Sequence, residues 1–120
     1  MSWDNARTFC LNKNAHLAEL ETMEEIEAVQ AFFQSYYPTC NEFLAGSFWI
    51  GAREVTGFEN IFTWFDSQTI VEEFDWAPSY PINDTAVDEA IMLNCLYDYS
   101  FGDQNVSHKQ NFLCEGVPAS

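Results

Sequence analysis

Four cysteines are the residues of this chain whose chemistry depends most directly on spacing. They stand at positions 10, 40, 95 and 114 of 120 residues, and no two of them form a Cys-x-x-Cys pair. That pair is the usual spacing of zinc sites and of thiol redox motifs. Widely separated cysteines instead indicate disulfides formed in an oxidising compartment.

The common catalytic motifs are absent from the sequence. It contains no Gly-x-Ser-x-Gly, no His-Glu-x-x-His and no glycine-rich phosphate loop. We expect His16 to be a packed structural residue and His108, beside Lys109, to be an exposed loop residue. Nothing in the spacing places a cysteine beside a histidine as a nucleophile. These features predict a protein that is not an enzyme, although nineteen acidic residues allow too many carboxylate pairs for the sequence to test glycoside hydrolysis.

The charge balance is strongly acidic. Nineteen acids against four bases give a formal net charge of −15. Such a surface repels phosphate backbones and anionic lipid headgroups, which predicts no nucleic-acid partner and no membrane-surface binding. The acids are expected to solvate the surface, with a calcium site built from carboxylates as the alternative.

Two features concern the extent of the chain. Its 120 residues predict one domain. No apolar stretch has membrane-spanning length, and the amino terminus has no basic and apolar leader. Because the cysteines indicate an oxidising compartment, the missing leader suggests an incomplete chain or a domain cut from a longer one.

The amino-terminal third predicts two helices. Ser2 is a candidate cap for the first, which places apolar residues at helical spacing on one face. Thr22 followed by Glu25 predicts a capping box for the second. The expected buried positions are Trp3, Ala6 and Cys10 in the first helix, and Ile26, Val29, Ala31 or Ala28, Phe32 and Phe33 in the second.

The remainder predicts strands and one long loop. The run from Phe48 to Glu54 reads as a buried central strand, in which Gly51 would let another backbone approach closely. A hairpin turning near Gly57 follows. Residues 66 to about 88 are irregular and rich in turn formers, and a loop of this length in a compact domain is usually functional. Two or three closing strands complete the chain.

Taken together, these residues resemble a known family. The order is Trp3 with Cys10, Ala15-His16-Leu17, Trp49-Ile50-Gly51, Trp64, Trp76-Ala77-Pro78, Cys95 and Phe112-Leu113-Cys114-Glu115. This order resembles a C-type lectin-like domain over essentially the whole chain, residues 1–120. The resemblance implies an α+β fold with two helices on small antiparallel sheets and a long loop that carries the ligand site. The family's first strand is missing, which again suggests a truncated start.

The resemblance also implies the disulfides. It pairs Cys10 with Cys114, joining the first helix to the last strand. Cys95 matches the first cysteine of the family's second bridge, but its expected partner is missing. In the family the positions of Cys40 and Cys95 should lie well apart. Pairing them would use all four cysteines within this chain; the alternative is a partner for Cys40 in missing upstream sequence or in another chain.

The family's calcium and sugar site uses two triplets, and both depart from the pattern here. Glu-Pro-Asn or Gln-Pro-Asp in the long loop corresponds to Tyr80-Pro81-Ile82, and Trp-Asn-Asp on a later strand corresponds to Phe101-Gly102-Asp103. Only Pro81 and Asp103 match. Calcium takes six to eight oxygen ligands, so the resemblance leaves a degraded site and makes calcium doubtful. Candidate metal ligands are Asp103, Asp84 and Asp88, and another cation site could combine Asp66, Asp84, Asp88 and Glu89.

Two sequons lie near these triplets, at Asn83 and Asn105. A glycan on Asn83 would stand over the surface on which the family binds sugar, so we expect glycosylation there to restrict access to the loop face.

These observations predict a secreted or extracellular recognition module whose partner is a glycan or an extracellular protein. The first hypothesis is a carbohydrate bound through the loop face. The alternative is calcium-independent protein binding with no sugar site. The candidate loop residues are Trp76, Tyr80, Pro81, Ile82 and Asp103, with Tyr97 to Phe101 as further aromatic contacts and with Trp76 expected to serve packing more than contact.

Overall fold

The computed structural model describes residues 1–40, 46–56, 58, 61–82 and 88–116. Within these ranges the chain forms two α-helices, eight strands and one short 3-10 helix. The described helices include none that is both long and apolar enough to cross a membrane. Gly57, at the predicted turn, lies outside the described residues.

Helix α1 spans Trp3–Asn12 and begins where the sequence predicts. The Ser2 Oγ accepts a hydrogen bond of 3.3 Å from the Asn5 N–H, which satisfies one of the free donors at the helix start. Trp3, Ala6 and Cys10 are its buried residues, so the predicted apolar face is confirmed.

Helix α2 spans Met23–Tyr36 and has the predicted cap, because the Thr22 Oγ1 accepts from the Glu25 N–H. Its buried residues are Ile26, Gln30 and Phe33. The prediction for Phe32 is wrong, because this residue is 52% exposed, and so is the prediction for Ala31 or Ala28, since both alanines are exposed. Adjacent helical residues point about 100° apart, so Phe32 and Phe33 do not share one narrow face.

The strands are short apart from three. Their bounds are β1 Ala15–Leu17, β2 Phe48–Glu54, β3 Phe62–Trp64, β4 Thr69–Ile70, β5 Glu89–Asn94, β6 Ser100–Asn105, β7 Asn111–Phe112 and β8 Cys114–Gly116, with the 3-10 helix at Cys95–Tyr97. The main sheet has the order β4-β3-β2-β5-β6, and β7 pairs with β2 in parallel. The strands β1 and β8 form a separate antiparallel pair.

The central strand β2 comes very close to the chain after β1. The Gly51 N–H donates to the Ala18 carbonyl at 2.7 Å. A Cβ at position 51 would lie 2.7 Å from the Leu17 carbonyl oxygen, nearer than real Cβ atoms approach. The predicted role of Gly51 is therefore confirmed.

Two apolar clusters lie on opposite faces of β2 and β5. Ile50 and Leu93 belong to the cluster that includes Ile26 of α2. Trp49 and Met92, the sequence neighbours of Ile50 and Leu93, belong to the cluster that includes Trp3 of α1. Alternate residues of a strand point to opposite faces, so each helix covers one side of the sheet.

Both disulfides are intramolecular. Cys10 is bonded to Cys114, with 5.6 Å between the Cα atoms. Cys40 is bonded to Cys95, with 5.4 Å between the Cα atoms, so the expectation that these two positions lie well apart is wrong.

The reason lies at the carboxyl end of α2. The Gln34 Nε2 donates to the Asp98 carbonyl at 2.9 Å, and the Tyr99 hydroxyl donates to the Tyr37 carbonyl at 2.8 Å. These bonds hold the end of α2 against the turn that follows β5. Cys40, just beyond α2, is thereby brought to Cys95.

Candidate ligand-binding site

The first part of the long loop is packed rather than irregular throughout. Strand β4 lies within it, and the backbone at Trp76 forms a bridge with Phe101 of β6. The half-buried Trp76 ring stacks on Phe74, with 5.1 Å between centroids, and lies 5.5 Å from Phe62. Trp76 therefore anchors the loop to the sheet, which is the packing role expected from the sequence.

The two triplets singled out by the sequence lie against each other. The Ile82 N–H donates to Asp103 Oδ1 at 2.7 Å. Asp103 is fully buried on β6, opposite Ile91 of β5. This burial raises the pKa of the Asp103 carboxyl, while the Ile82 N–H and the neighbouring Glu89 side chain lower it in part. The Asp103 oxygen that faces the loop is thus held by a donor of the protein itself.

Tyr80 and Gly102 both differ from the residues of the family triplets. The Tyr80 ring packs against Gly102. A Cβ on Gly102 would lie 3.2 Å from a Tyr80 ring carbon and 3.0 Å from the Met92 methyl group. The Tyr80 ring therefore occupies space above β6 that a side chain at position 102 would need. Burial, and secondly the charge of Asp103, raise the pKa of the Tyr80 phenol.

The other acidic candidates lie with different partners. Asp88 is 3.7 Å from the Arg53 guanidinium, and Asp66 accepts from Arg7 at 2.8 Å. The Val106 N–H donates to the Asp88 carbonyl, which places Asp88 three residue steps, roughly 10 Å, along β6 from Asp103. One ion with oxygen ligands at about 2.3–2.6 Å does not span that separation. Asp84 lies outside the described residues.

Calcium therefore does not fit the donor set at this face. Ile82 and Gly102 supply no side-chain oxygen, and Tyr80 supplies a neutral phenol. The carboxylates there are those of Asp103 and Glu89, which have four oxygens, and one of these, Asp103 Oδ1, already accepts from a backbone amide. Calcium needs six to eight oxygens. The described residues around Asp103 do not supply them.

A comparison of the whole chain with known protein families agrees with the arrangement of helices and sheets described above. The model of the lectin C-type domain matches residues 1–116. This chain belongs to the C-type lectin domain family. C-type lectin-like domains are non-enzymatic binding domains that bind glycans or proteins and are usually extracellular; many bind calcium, and some do not.

Three relatives illustrate the range of this family. E-selectin of Canis lupus familiaris is 29% identical over 119 residues, which are 95% of this chain and 18% of that protein. The crystal structure of a calcium-independent type II antifreeze protein has a TM-score of 0.66 at 24% identity, covering 89% of this chain and 72% of that one. The SPL-1–GlcNAc complex has a TM-score of 0.69 at 19% identity, covering 90% and 78%. The chain thus spans about a fifth of the E-selectin that it matches.

The aromatic candidates on this C-type lectin-like domain divide into exposed and buried residues. Tyr99 and Phe101 are buried and do not reach a ligand, whereas Tyr97 is 42% exposed. The Tyr97 phenol lies near enough to Tyr80 to contribute to the raised pKa of Tyr80. Ile82, whose N–H donates to Asp103, is 41% exposed. We call Tyr80, Ile82 and Tyr97 the loop face.

One predicted sequon can be located. Asn105 ends β6, and its Oδ1 accepts from the Ser107 N–H at 2.9 Å and from the Ser107 hydroxyl at 2.7 Å. Asn83 lies outside the described residues. Glycosylation of either site stays a prediction.

The sequence reasoning missed the burial of Glu89. This residue was expected to be solvated, yet it is buried on β5 and lies beside Asp103. The available signal was its position directly before the apolar run Ala90–Leu93, because the first residue of a central strand is enclosed by its neighbours.

Proposed function

We propose that this domain is an extracellular recognition module that binds a protein ligand through its loop face without calcium. The observation that carries the proposal is the hydrogen bond from the Ile82 N–H to Asp103 Oδ1. In this proposal the Ile82 N–H takes the place of a cation beside Asp103. Asp103 belongs to one triplet and Ile82 to the other. The relative described as calcium-independent supports a domain of this family working without the ion.

The chemistry of the loop face favours a protein ligand. Ile82 presents an apolar side chain, and Tyr97 presents an aromatic ring with a hydroxyl group. Exposed aromatic and apolar residues on a packed support are typical of protein-binding hot spots. Trp76 and Gly102 supply that support, since one anchors the loop and the other makes room for Tyr80.

A glycan bound without calcium is the second candidate. The exposed ring of Tyr97 favours it, because sugar rings stack on aromatic faces through their apolar C–H surface. The relative solved as a complex with GlcNAc shows that a sugar ligand occurs in this fold. The proposal includes secretion of the protein and glycans on Asn83 and Asn105.

The test is a binding screen of the chain, displayed as a tetramer, on arrays of receptor ectodomains and of glycans, in calcium and in chelator. We expect a hit on the ectodomain array that is unchanged by chelator. The variant Ile82→Asp should weaken it by about tenfold or more, because it places a charge in the contact.

Ile70→Asp is the matched control. Ile70 is 63% exposed on β4, at the other end of the main sheet from β6, so this variant should bind as the wild type does. A chelator-resistant hit on the glycan array alone would make the second candidate the function. Binding that requires calcium, or that survives Ile82→Asp but not Ile70→Asp, would contradict the loop-face proposal.

A further inference from the structure

A cluster of potential metal ligands lies away from the loop face. His16 is on β1, Glu19 follows it, and Asp66 is in the turn between β3 and β4. One ligand atom from each of the three lies within 4.8 Å of those of the other two. None of these residues belongs to the loop face or to the family triplets.

The imidazole of His16 is oriented for metal binding. Its Nδ1 lies 2.8 Å from the Leu17 carbonyl oxygen. A carbonyl oxygen only accepts, so Nδ1 carries the proton and donates. The neutral ring then has its lone pair on Nε2. Metal-binding histidines commonly donate their other ring N–H to a backbone carbonyl in this way.

The two carboxylates are held in place by the protein. Oε2 of the buried Glu19 accepts from the N–H groups of Asp66 at 3.0 Å and Ser67 at 3.2 Å. Asp66 Oδ1 accepts from Arg7, while Asp66 Oδ2 is buried without a hydrogen-bond partner among the described residues. A buried carboxylate oxygen without a donor leaves room for another partner, and the Asp66 carboxyl also lies within 4.8 Å of potential ligand atoms of His16 and Glu19.

The local charge points to a divalent cation. Glu115 Oε1 accepts from the Glu19 N–H at 3.1 Å and lies 4.0 Å from His16 Nε2. Glu19, Asp66 and Glu115 together carry three negative charges, and Arg7 supplies one positive charge through its bond to Asp66. Two negative charges are left around the imidazole.

We propose that His16, Glu19 and Asp66 bind a divalent transition-metal ion of the zinc type, with Glu115 at the edge of the site. One imidazole nitrogen with carboxylate oxygens is a donor set that zinc accepts, whereas calcium takes oxygen ligands only. Ligands at about 2.1 Å in tetrahedral geometry lie roughly 3.4 Å apart, so the three donors need to approach by no more than roughly 1.4 Å.

Zinc titration by calorimetry, in excess magnesium and calcium, tests the proposal. The excess ions suppress unspecific binding to a surface of net charge −15. We expect one zinc ion per chain. His16→Gln should weaken binding by about tenfold or more, while His108→Gln should leave it unchanged. His108 is the matched control because the chain has two histidines.

Nitrogen NMR of the imidazole in the wild-type chain keeps the test independent of how well the variants fold. Zinc should shift the His16 Nε2 resonance and leave that of His108 in place. The proposal is overturned if zinc does not bind, if His108→Gln weakens binding as much as His16→Gln does, or if the His16 Nε2 resonance does not move in excess zinc. The site shares no residue with the loop face, so neither result depends on the proposed function.

Discussion

Single side chains decide whether this domain uses the calcium chemistry of its family. The sequence identifies Asp103 as the acid that survives in the second triplet, but it does not reveal that the acid is buried. That burial comes from the register of β5 and β6, which places Asp103 opposite Ile91. Register depends on pairing between distant segments, so local sequence does not report it.

The pKa of Asp103 gives a pH-dependent prediction. Its pKa is raised in the folded state, chiefly by burial, so its contribution to stability is full below the ordinary value for aspartate, about 3.9, and is lost as pH rises through the folded value. Asp103→Asn removes the ionisation and keeps an oxygen to accept from Ile82. We expect urea unfolding to show the variant gaining stability relative to the wild type as the pH rises above about 4. Parallel pH profiles would refute the account of this residue.

Gly51 is a position at which an added methyl group should destabilise the domain. A Cβ there would meet two carbonyl oxygens, at 2.7 and 3.1 Å, so Gly51→Ala should destabilise the domain by about 1–3 kcal/mol. Gly116→Ala is the control, since its Cβ would meet nothing within 4 Å. Denaturant unfolding measures both. Equal effects of the two substitutions would mean that β2 does not pack against the chain after β1 as described.

Among the elements, the helices were the most predictable because their signals are local. Caps and apolar spacing fix the start of α1 and of α2, and both starts agree with the structure. The prediction that Phe32 is buried was wrong because only one of two adjacent phenylalanines can face the sheet. Contacts with β2 determine that this residue is Phe33. The ring of Phe33 lies 4.4 Å from that of Phe48.

The cap of α2 gives a prediction for one element. The Thr22 side chain accepts from the Glu25 N–H at 3.2 Å, so Thr22→Ala should lower the free energy of unfolding by about 1 kcal/mol. Thr56→Ala, at an exposed turn position, should change it by less than about 0.5 kcal/mol. Thermal unfolding followed by circular dichroism measures the difference. A Thr22 variant as stable as the Thr56 variant would show that the cap does not hold the helix.

For the whole domain, the resemblance to C-type lectin-like domains predicted the α+β class. It also predicted the disulfide between Cys10 and Cys114, which joins α1 to the last strand. It was less informative where this chain differs from its family. The Cys40–Cys95 bond depends on how the end of α2 lies against the turn after β5, and that contact is made by Gln34 and Tyr99 with backbone carbonyls. The spacing of the cysteines in the sequence does not predict such a contact.

The most direct measurement of the central claim is the unfolding temperature of the wild type and of Asp103→Asn, each with and without calcium. Ligands that bind the folded state raise this temperature. Because Ile82 already donates to Asp103, and because Ile82 and Gly102 supply no side-chain oxygen, we predict that calcium leaves both temperatures unchanged. A rise in the wild type that Asp103→Asn abolishes would show calcium bound at Asp103 and would contradict the account.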